Sequence, residues 1–298
     1  MPVDRLTVAP EDAGTRLDRW LAPRLGLPGA RVAALCQAGQ VRVRGKACSP
    51  LRRLYGGEVV EVERAAAAPA APPRGPALRV LHDDAACLVV DKPADLAVEP
   101  AGPSSPSVVG AASRLGRFDV AGRAVPGLAH RLDRDTTGCL LLARTDAALL
   151  ALKAAFQAGQ VEKWYLALVA GAPPDAGTLD TPYARDPSDA RRYTGRVPSH
   201  RRARLSFRVE RRLAGAALLR VSLDTGRTHQ IRVQLSEAGF PVLGDATYGV
   251  ASPVVARQAL HAVRLAFPSP ASGRVVVEAP LPEDLRAALA ALEAGGGP

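Results

Sequence analysis

The stretch 65–76, Ala-Ala-Ala-Ala-Pro-Ala-Ala-Pro-Pro-Arg-Gly-Pro, limits what this chain can fold into more than any other segment. It has four prolines and no apolar periodicity. It can neither continue a helix nor sit inside a sheet, so it reads as an extended, semi-rigid linker. The 298 residues are therefore expected to form two bodies: a small module over 14–63 and a large domain over 78–298, joined by 64–77. A chain of this length can bury a sizeable core in each.

In the small module, Leu17, Trp20 and Leu21 stand at i, i+3 and i+4, and Val32, Leu35 and Cys36 repeat the pattern. Two short helices are expected. Residues 41–44 alternate apolar and basic, as a half-exposed strand does, and 59–62 reads as another strand. In the large domain strands outnumber helices. Residues 80–81, 87–90, 139–142, 165–169, 217–223 and 275–277 read as strands. Helical spacing is present over 147–156, 230–238 and 282–292, with Thr228 as the cap of the second and Gly239 as its stop. The two types do not alternate regularly, which argues against a doubly wound parallel sheet.

Thirty-nine Lys and Arg face 29 Asp and Glu, a net charge of +10. Such an excess suits a polyanionic partner, because cations release counterions from phosphates. Part of it lies in 183–212, where ten arginines face three acids with Tyr183 and Tyr193 interleaved. A phosphate-gripping loop is expected there, because guanidinium pairs bidentately with phosphate and stacks on bases. The four cysteines lack metal-type spacing and are expected to be reduced and mostly buried. No apolar leader opens the N-terminus and no window is long enough to span a bilayer, so a cytoplasmic protein without membrane contact is expected.

Residues 130–138, His-Arg-Leu-Asp-Arg-Asp-Thr-Thr-Gly, concentrate the chemistry. An imidazole, two guanidiniums and two carboxylates run through a Thr-Thr-Gly turn into an apolar strand. This is a charged loop presented by a rigid sheet. From spacing alone, a reactive loop and a solvated, salt-bridged turn are equally consistent with it.

The stretch resembles the active-site motif of the RluA-type family of pseudouridine synthases. Other segments are similar to that family in the same order: 89–94 (Val-Val-Asp-Lys-Pro-Ala), 163–169 (Lys-Trp-Tyr-Leu-Ala-Leu-Val), 226–232 (Gly-Arg-Thr-His-Gln-Ile-Arg), Gly244-Asp245 with Tyr248-Gly249, and 260–262 (Leu-His-Ala). Asp95 stands where the family pattern has Gly. The small module resembles the S-four-type RNA-binding domain, with Arg44-Gly45 in place of Asn-Gly. The resemblance implies an α+β fold, a mixed and mainly antiparallel sheet preceded by that small domain.

It also implies an isomerase that detaches uracil from its ribose, turns it and rejoins it through carbon. No cofactor or metal is called for. Asp133 matches the catalytic Asp. Whether it attacks the sugar, adds to the base or removes the 2′ proton stays open, and each route needs a carboxylate. Arg232 matches that carboxylate's partner, with Arg227 as the alternative, and Tyr165 matches a Tyr that packs on the target base. Arg131 matches the residue that fills the gap left by a flipped nucleotide, with an ion pair to Asp135 as the plainer alternative. His130 and Arg227 join it on the RNA-facing side, and His130 and His229 are expected to shape loops ahead of transferring protons. Further RNA contacts are expected from Arg31, Arg42, Arg44 and Lys46 on the small module and from Arg201, Arg202 and Arg204 on the large domain. The expected partner is RNA, ribosomal RNA before transfer RNA, bound by a monomer.

A non-catalytic RNA-binding assembly factor on the same fold is the competing reading; intact Asp133, Tyr165 and Arg232 speak against it. Asp224-Thr225-Gly226 mimics an aspartic protease signature, but Asp135-Thr136-Thr137-Gly138 is a poor second copy, and such a site needs two carboxylates sharing a proton.

Overall fold

The computed structural model describes residues 3–25, 27, 29–63, 75–101 and 105–295. Most of the expected linker, 64–74, lies outside them. Among the described residues no helix is long and apolar enough to cross a membrane.

The small module is a four-stranded antiparallel sheet, ordered Val3–Thr7, Val59–Glu63, Val41–Val43, Lys46–Ala47. The helices Leu17–Leu25 and Gly29–Gln37 bury Leu17, Trp20, Leu21, Val32, Leu35 and Cys36 against Val41, Val43, Val60 and Val62. The first strand precedes residue 14, where the module was expected to begin. Residues 3–7 pair with 59–63 along their whole length, which makes them part of this body. Arg44 and Gly45 both take positive φ, 53° and 76°. A two-residue hairpin needs that pair of conformations, and here an Arg adopts one of them.

The large domain is built on a ten-stranded mixed sheet. Its main path runs Ala176–Pro182, Arg202–Leu213, Ala216–Leu223, Glu162–Ala170, Leu260–Ser269, Thr137–Ala143, Cys87–Lys92, Arg79–Asp83. All neighbours are antiparallel except Leu260–Ser269 beside Thr137–Ala143. This is the mixed, mainly antiparallel sheet expected from the sequence.

Both faces of the central strands are covered. Leu140 and Leu142 enter one core, with Ile231, Leu235 and Leu289; Cys139, Leu141 and Ala143 enter the other, with Leu149, Leu152 and Phe267. That is why this strand is a continuous apolar run instead of an alternating one. Gly138 sits at its start with φ 106°, where a Cβ would stand 2.2 Å from the carbonyl oxygen of Ala262. The close approach of the parallel neighbour allows no side chain there.

Two expectations need correction. Five of the ten arginines of the presumed loop lie on a strand, Arg202–Leu213, whose alternation (Ala203, Leu205 and Phe207 inward; Arg202, Arg204 and Arg208 outward) has a period of two. Thr228 does not cap the helix Gln230–Glu237; the cap position belongs to His229, left-handed at φ 59°, without a side-chain capping bond.

Candidate active site

Asp133 lies in the loop that feeds the strand Thr137–Ala143, and backbone contacts hold the loop from several sides. Lys92, fully buried, donates from Nζ to the carbonyls of Pro93 (2.7 Å) and Arg134 (2.6 Å). Burial pulls this amine down to about 8, against the nearby charge of Asp135. Arg257 Nη1 donates to the Asp135 carbonyl at 2.7 Å, and Gln258 Nε2 to Thr136 Oγ1 at 3.0 Å. Asp95 takes φ 54°, a conformation Asp tolerates better than most residues, and its N–H donates to Asp135 Oδ1 at 3.2 Å.

One oxygen of Asp133 is held and the other is open. Arg232 Nη1 donates to Oδ2 at 2.9 Å. The same guanidinium grips Asp245 bidentately, Nε to Oδ2 at 2.6 Å and Nη2 to Oδ1 at 2.8 Å. Asp245 is buried and also accepts the N–H groups of Thr247 and Tyr248. Burial works against the charge of Arg232, but hydrogen bonding to Asp245 and the two carboxylate charges outweigh it and hold the group above its ordinary value. Asp133 Oδ1 has no hydrogen bond among the described residues; the imidazole of His229 faces it, with Nε2 3.9 Å away. Arg227, the alternative partner, turns its Nε to the carbonyl of Arg202.

Tyr165 is buried beside this carboxylate, and burial together with the charge of Asp133 holds it in the phenol form. Its hydroxyl makes no hydrogen bond among the described residues. Tyr165, Leu132, Ile231 and Leu260 enclose a cavity of about 50 Å³ over Asp133. That is room for a water or two. A chamber of about 710 Å³ adjoins it, lined by Arg131, Asp133, Phe156, Lys163, Tyr165 and Arg227 among others. Arg131 is exposed and has no ion pair or hydrogen bond among the described residues, so the pair with Asp135 does not form.

The remaining expected contacts divide. Arg42, Lys46 and Arg201 are exposed. Arg44 pairs with Glu58 at 3.2 Å, Arg202 with Asp180 at 2.8 Å, and Arg204 with Asp224 at 2.9 Å, all three remaining half or more exposed. Two placements are corrections. Arg31 does not lie on an open face: its side chain is 17% exposed and stands 4.0 Å from Asp146 of the large domain. His130 is not a free cation for RNA: its Nε2 accepts the N–H of Leu141 at 2.9 Å, its ring packs on Phe156, and burial brings it down to about 3.

Sequence reading missed Lys92 and Asp245 as organisers and gave His229 only a loop-shaping role. The signal for Asp245 was available, since a buried Arg232 contacting one Asp needs its other donors filled. The fold also brings His82, Asp84 and Cys87 within 4.8 Å. The Asp84 carboxylate already accepts from Ala86 N, Cys87 N, Ser269 and Ser272, and contacts His82, a filled set that ties loop ends together.

Residues 86–237 match the family model described as RNA pseudouridylate synthase. An uncharacterized RNA pseudouridine synthase from Chloroflexus aurantiacus is 38% identical, over 97% of this chain and 93% of that protein. Proteins named ribosomal large subunit pseudouridine synthase D are 37% identical in Xanthomonas campestris, over 97% and 92% of the two chains, and 35% in Nitrosomonas europaea, over 96% and 87%. Among solved structures, human RNA pseudouridylate synthase domain containing 4 is similar with a TM-score of 0.58 and 25% identity, covering 72% of this chain and 92% of that one.

Proposed function

Because the chain belongs to the RluA-type family of RNA pseudouridine synthases, and is thus an isomerase of uridine in RNA, we propose that it modifies large-subunit ribosomal RNA through Asp133 on a uridine flipped out of its stack. The observation that carries the reading is the one-sided carboxylate. Asp133 Oδ2 is anchored by Arg232, Oδ1 has no hydrogen bond among the described residues, and the residue lines the chamber.

A fixed carboxylate with one free oxygen can act on a ribose or a base without reorganising first. Tyr165 supplies a ring face against the uracil. The cavity over Asp133 is too small for a base, whereas the adjoining chamber is of the size that takes a ligand. The base enters from that side, and Arg131, without a partner among the described residues, is free to move and fill the space it vacates. Flipping is required because atoms inside a stacked helix are out of reach of a side chain. The choice of ribosomal RNA rests on the named relatives. The small module, exposing Arg42 and Lys46, acts as an S-four-type RNA-binding domain, and the reading puts the protein in the cytoplasm.

Asp133→Asn keeps the shape of the side chain and removes its charge. Tritium release from carbon 5 of labelled uridine in ribosomal RNA should fall to background while RNA affinity stays within about threefold, since no phosphate contact is lost. Turnover near the wild-type rate would remove Asp133 from the chemistry. Mapping pseudouridines in ribosomal RNA from cells lacking the protein tests the substrate; an unchanged large-subunit map would refute that part.

A further inference from the structure

The arginine-rich excursion between Pro182 and Arg202 is tied by two hydrogen bonds to His229, which faces the catalytic carboxylate. The backbone N–H of Tyr193 donates to the hydroxyl of Tyr248 at 2.8 Å. That hydroxyl lies 3.0 Å from His229 Nδ1. The other ring nitrogen of His229, Nε2, faces Asp133 Oδ1 at 3.9 Å. The rings of Tyr193 and Tyr248 pack edge-on against the imidazole.

The direction of these bonds follows from what each atom can do. Tyr248 is buried, and its hydroxyl has one hydrogen and accepts one from Tyr193. Among the described residues the acceptor within reach of that hydrogen is His229 Nδ1. The imidazole is then a neutral ring with its proton on Nε2, on the side of the catalytic carboxylate. Asp133, Arg232, Asp245 and Arg131 are the charged groups around it, and burial keeps the ring below its ordinary value. His229 also holds a left-handed backbone, φ 59°, which a non-glycine residue keeps only where its surroundings impose it.

We propose that Tyr248 and His229 are positioning residues for the reaction: the excursion sets the Tyr248 hydroxyl, the hydroxyl sets the His229 tautomer, and the His229 Nε2–H steadies the free oxygen of Asp133. The two donors stand on opposite sides of the carboxylate, Arg232 in contact with Oδ2 and His229 about one ångström beyond contact with Oδ1. RNA bears on the same chain from outside. Arg185 lies over the Tyr193 ring at 4.9 Å, and Arg192 over the Tyr248 ring at 5.0 Å. Phosphates that engage these guanidiniums press on the two tyrosines that fix the imidazole. This assignment rests on the synthase reading for its consequence in turnover, but not for its geometry.

The geometry is read first in the RNA-free, full-length protein. Long-range ¹H–¹⁵N correlation of the histidine rings, with His229 assigned by loss of its signals in His229→Gln, should show the Nε2–H form. In Tyr248→Phe that preference should weaken. A wild-type ring protonated on Nδ1 would overturn the relay whatever the substrate. Single-turnover kinetics then test the consequence. Tyr248→Phe should slow the chemical step about tenfold, the effect of one hydrogen bond, with RNA affinity within about twofold. His229→Gln retains an N–H donor and should stay within about threefold of wild type, while His229→Leu should fall as far as Tyr248→Phe. Equal losses for Gln and Leu, or an unchanged step in Tyr248→Phe, would refute the role. Absence of pseudouridine formation by the wild-type protein would refute the synthase reading, and the ring measurement would still decide the geometry.

Discussion

Arg232 holds the site together because a planar fork can serve two carboxylates at once. Asp245 fills two of its donor positions and Asp133 takes a third. Lysine is a point charge on a flexible stem and cannot reproduce that geometry. Arg232→Lys should therefore keep the local charge yet lose turnover by at least about tenfold, because the carboxylate is no longer fixed. Asp245→Asn acts from the other side. It leaves a buried guanidinium with half of its compensation, and breaking a buried pair costs about 3–5 kcal/mol. A thermal unfolding scan should show the Asn variant melting well below wild type, with turnover reduced as well. Wild-type turnover in Arg232→Lys would mean that Asp133 is oriented by the loop alone, through Lys92 and Arg257, and that the ion pair is incidental.

Where the elements meet, two neutral histidines act as internal braces. His261 is fully buried, with Nδ1 2.8 Å from Thr137 Oγ1 and Nε2 facing the Ala279 carbonyl. It thereby joins the strand that leaves the catalytic loop to its parallel neighbour. His130 braces the same strand through Leu141 N–H. Burial lowers both from 6.5, to about 4 for His261 and about 3 for His130. The unfolded chain then binds protons that the folded chain does not. Stability is complete above pH 6.5 and falls as pH drops from 6.5 toward about 4, by about 1.4 kcal/mol per unit for each ring. His261→Gln can hold both partners without titrating. Between pH 7 and 5 it should lose about 2 kcal/mol less than wild type in urea unfolding; parallel losses would show that His261 does not carry the acid sensitivity. These braces were invisible in sequence because a histidine's partners come from distant strands, 124 residues apart for Thr137 and His261. Elements with strong periodicity were legible: both small-module helices, the strand after the catalytic loop and all three expected helices of the large domain. The strand Arg202–Leu213 was not, because its arginines drew attention from the alternating Ala203, Leu205 and Phe207 between them. Asp133, Arg232 and Tyr165 could be named because a resemblance placed them; composition alone would have left the loop ambiguous.

The positive charge of the whole molecule is less available than its total of +10 suggests. Many arginines of the large domain already have acids: Arg202 with Asp180, Arg204 with Asp224, Arg211 with Glu293, Arg220 with Glu210. A phosphate engaging such a guanidinium competes with a carboxylate, and the gain in counterion release is partly cancelled. Arg42 and Lys46 on the small module differ, being exposed and without an ion pair among the described residues. They project from the hairpin strands of a body with its own core, so replacing them should leave both bodies folded. If this module grips RNA, Arg42→Gln with Lys46→Gln should lower the slope of log affinity against log salt by about 1.4–1.8, the share of two phosphate contacts at about 0.7–0.9 each. Arg202→Gln with Arg204→Gln removes the same formal charge but should change the slope by less, because Asp180 and Asp224 are released as the guanidiniums go. Filter binding of ribosomal RNA fragments from about 50 to 200 mM salt measures both slopes. Equal slopes for the two double variants would mean that exposed pairing does not ration charge on this surface. A wild-type slope in Arg42→Gln with Lys46→Gln would move the RNA path off the small module altogether.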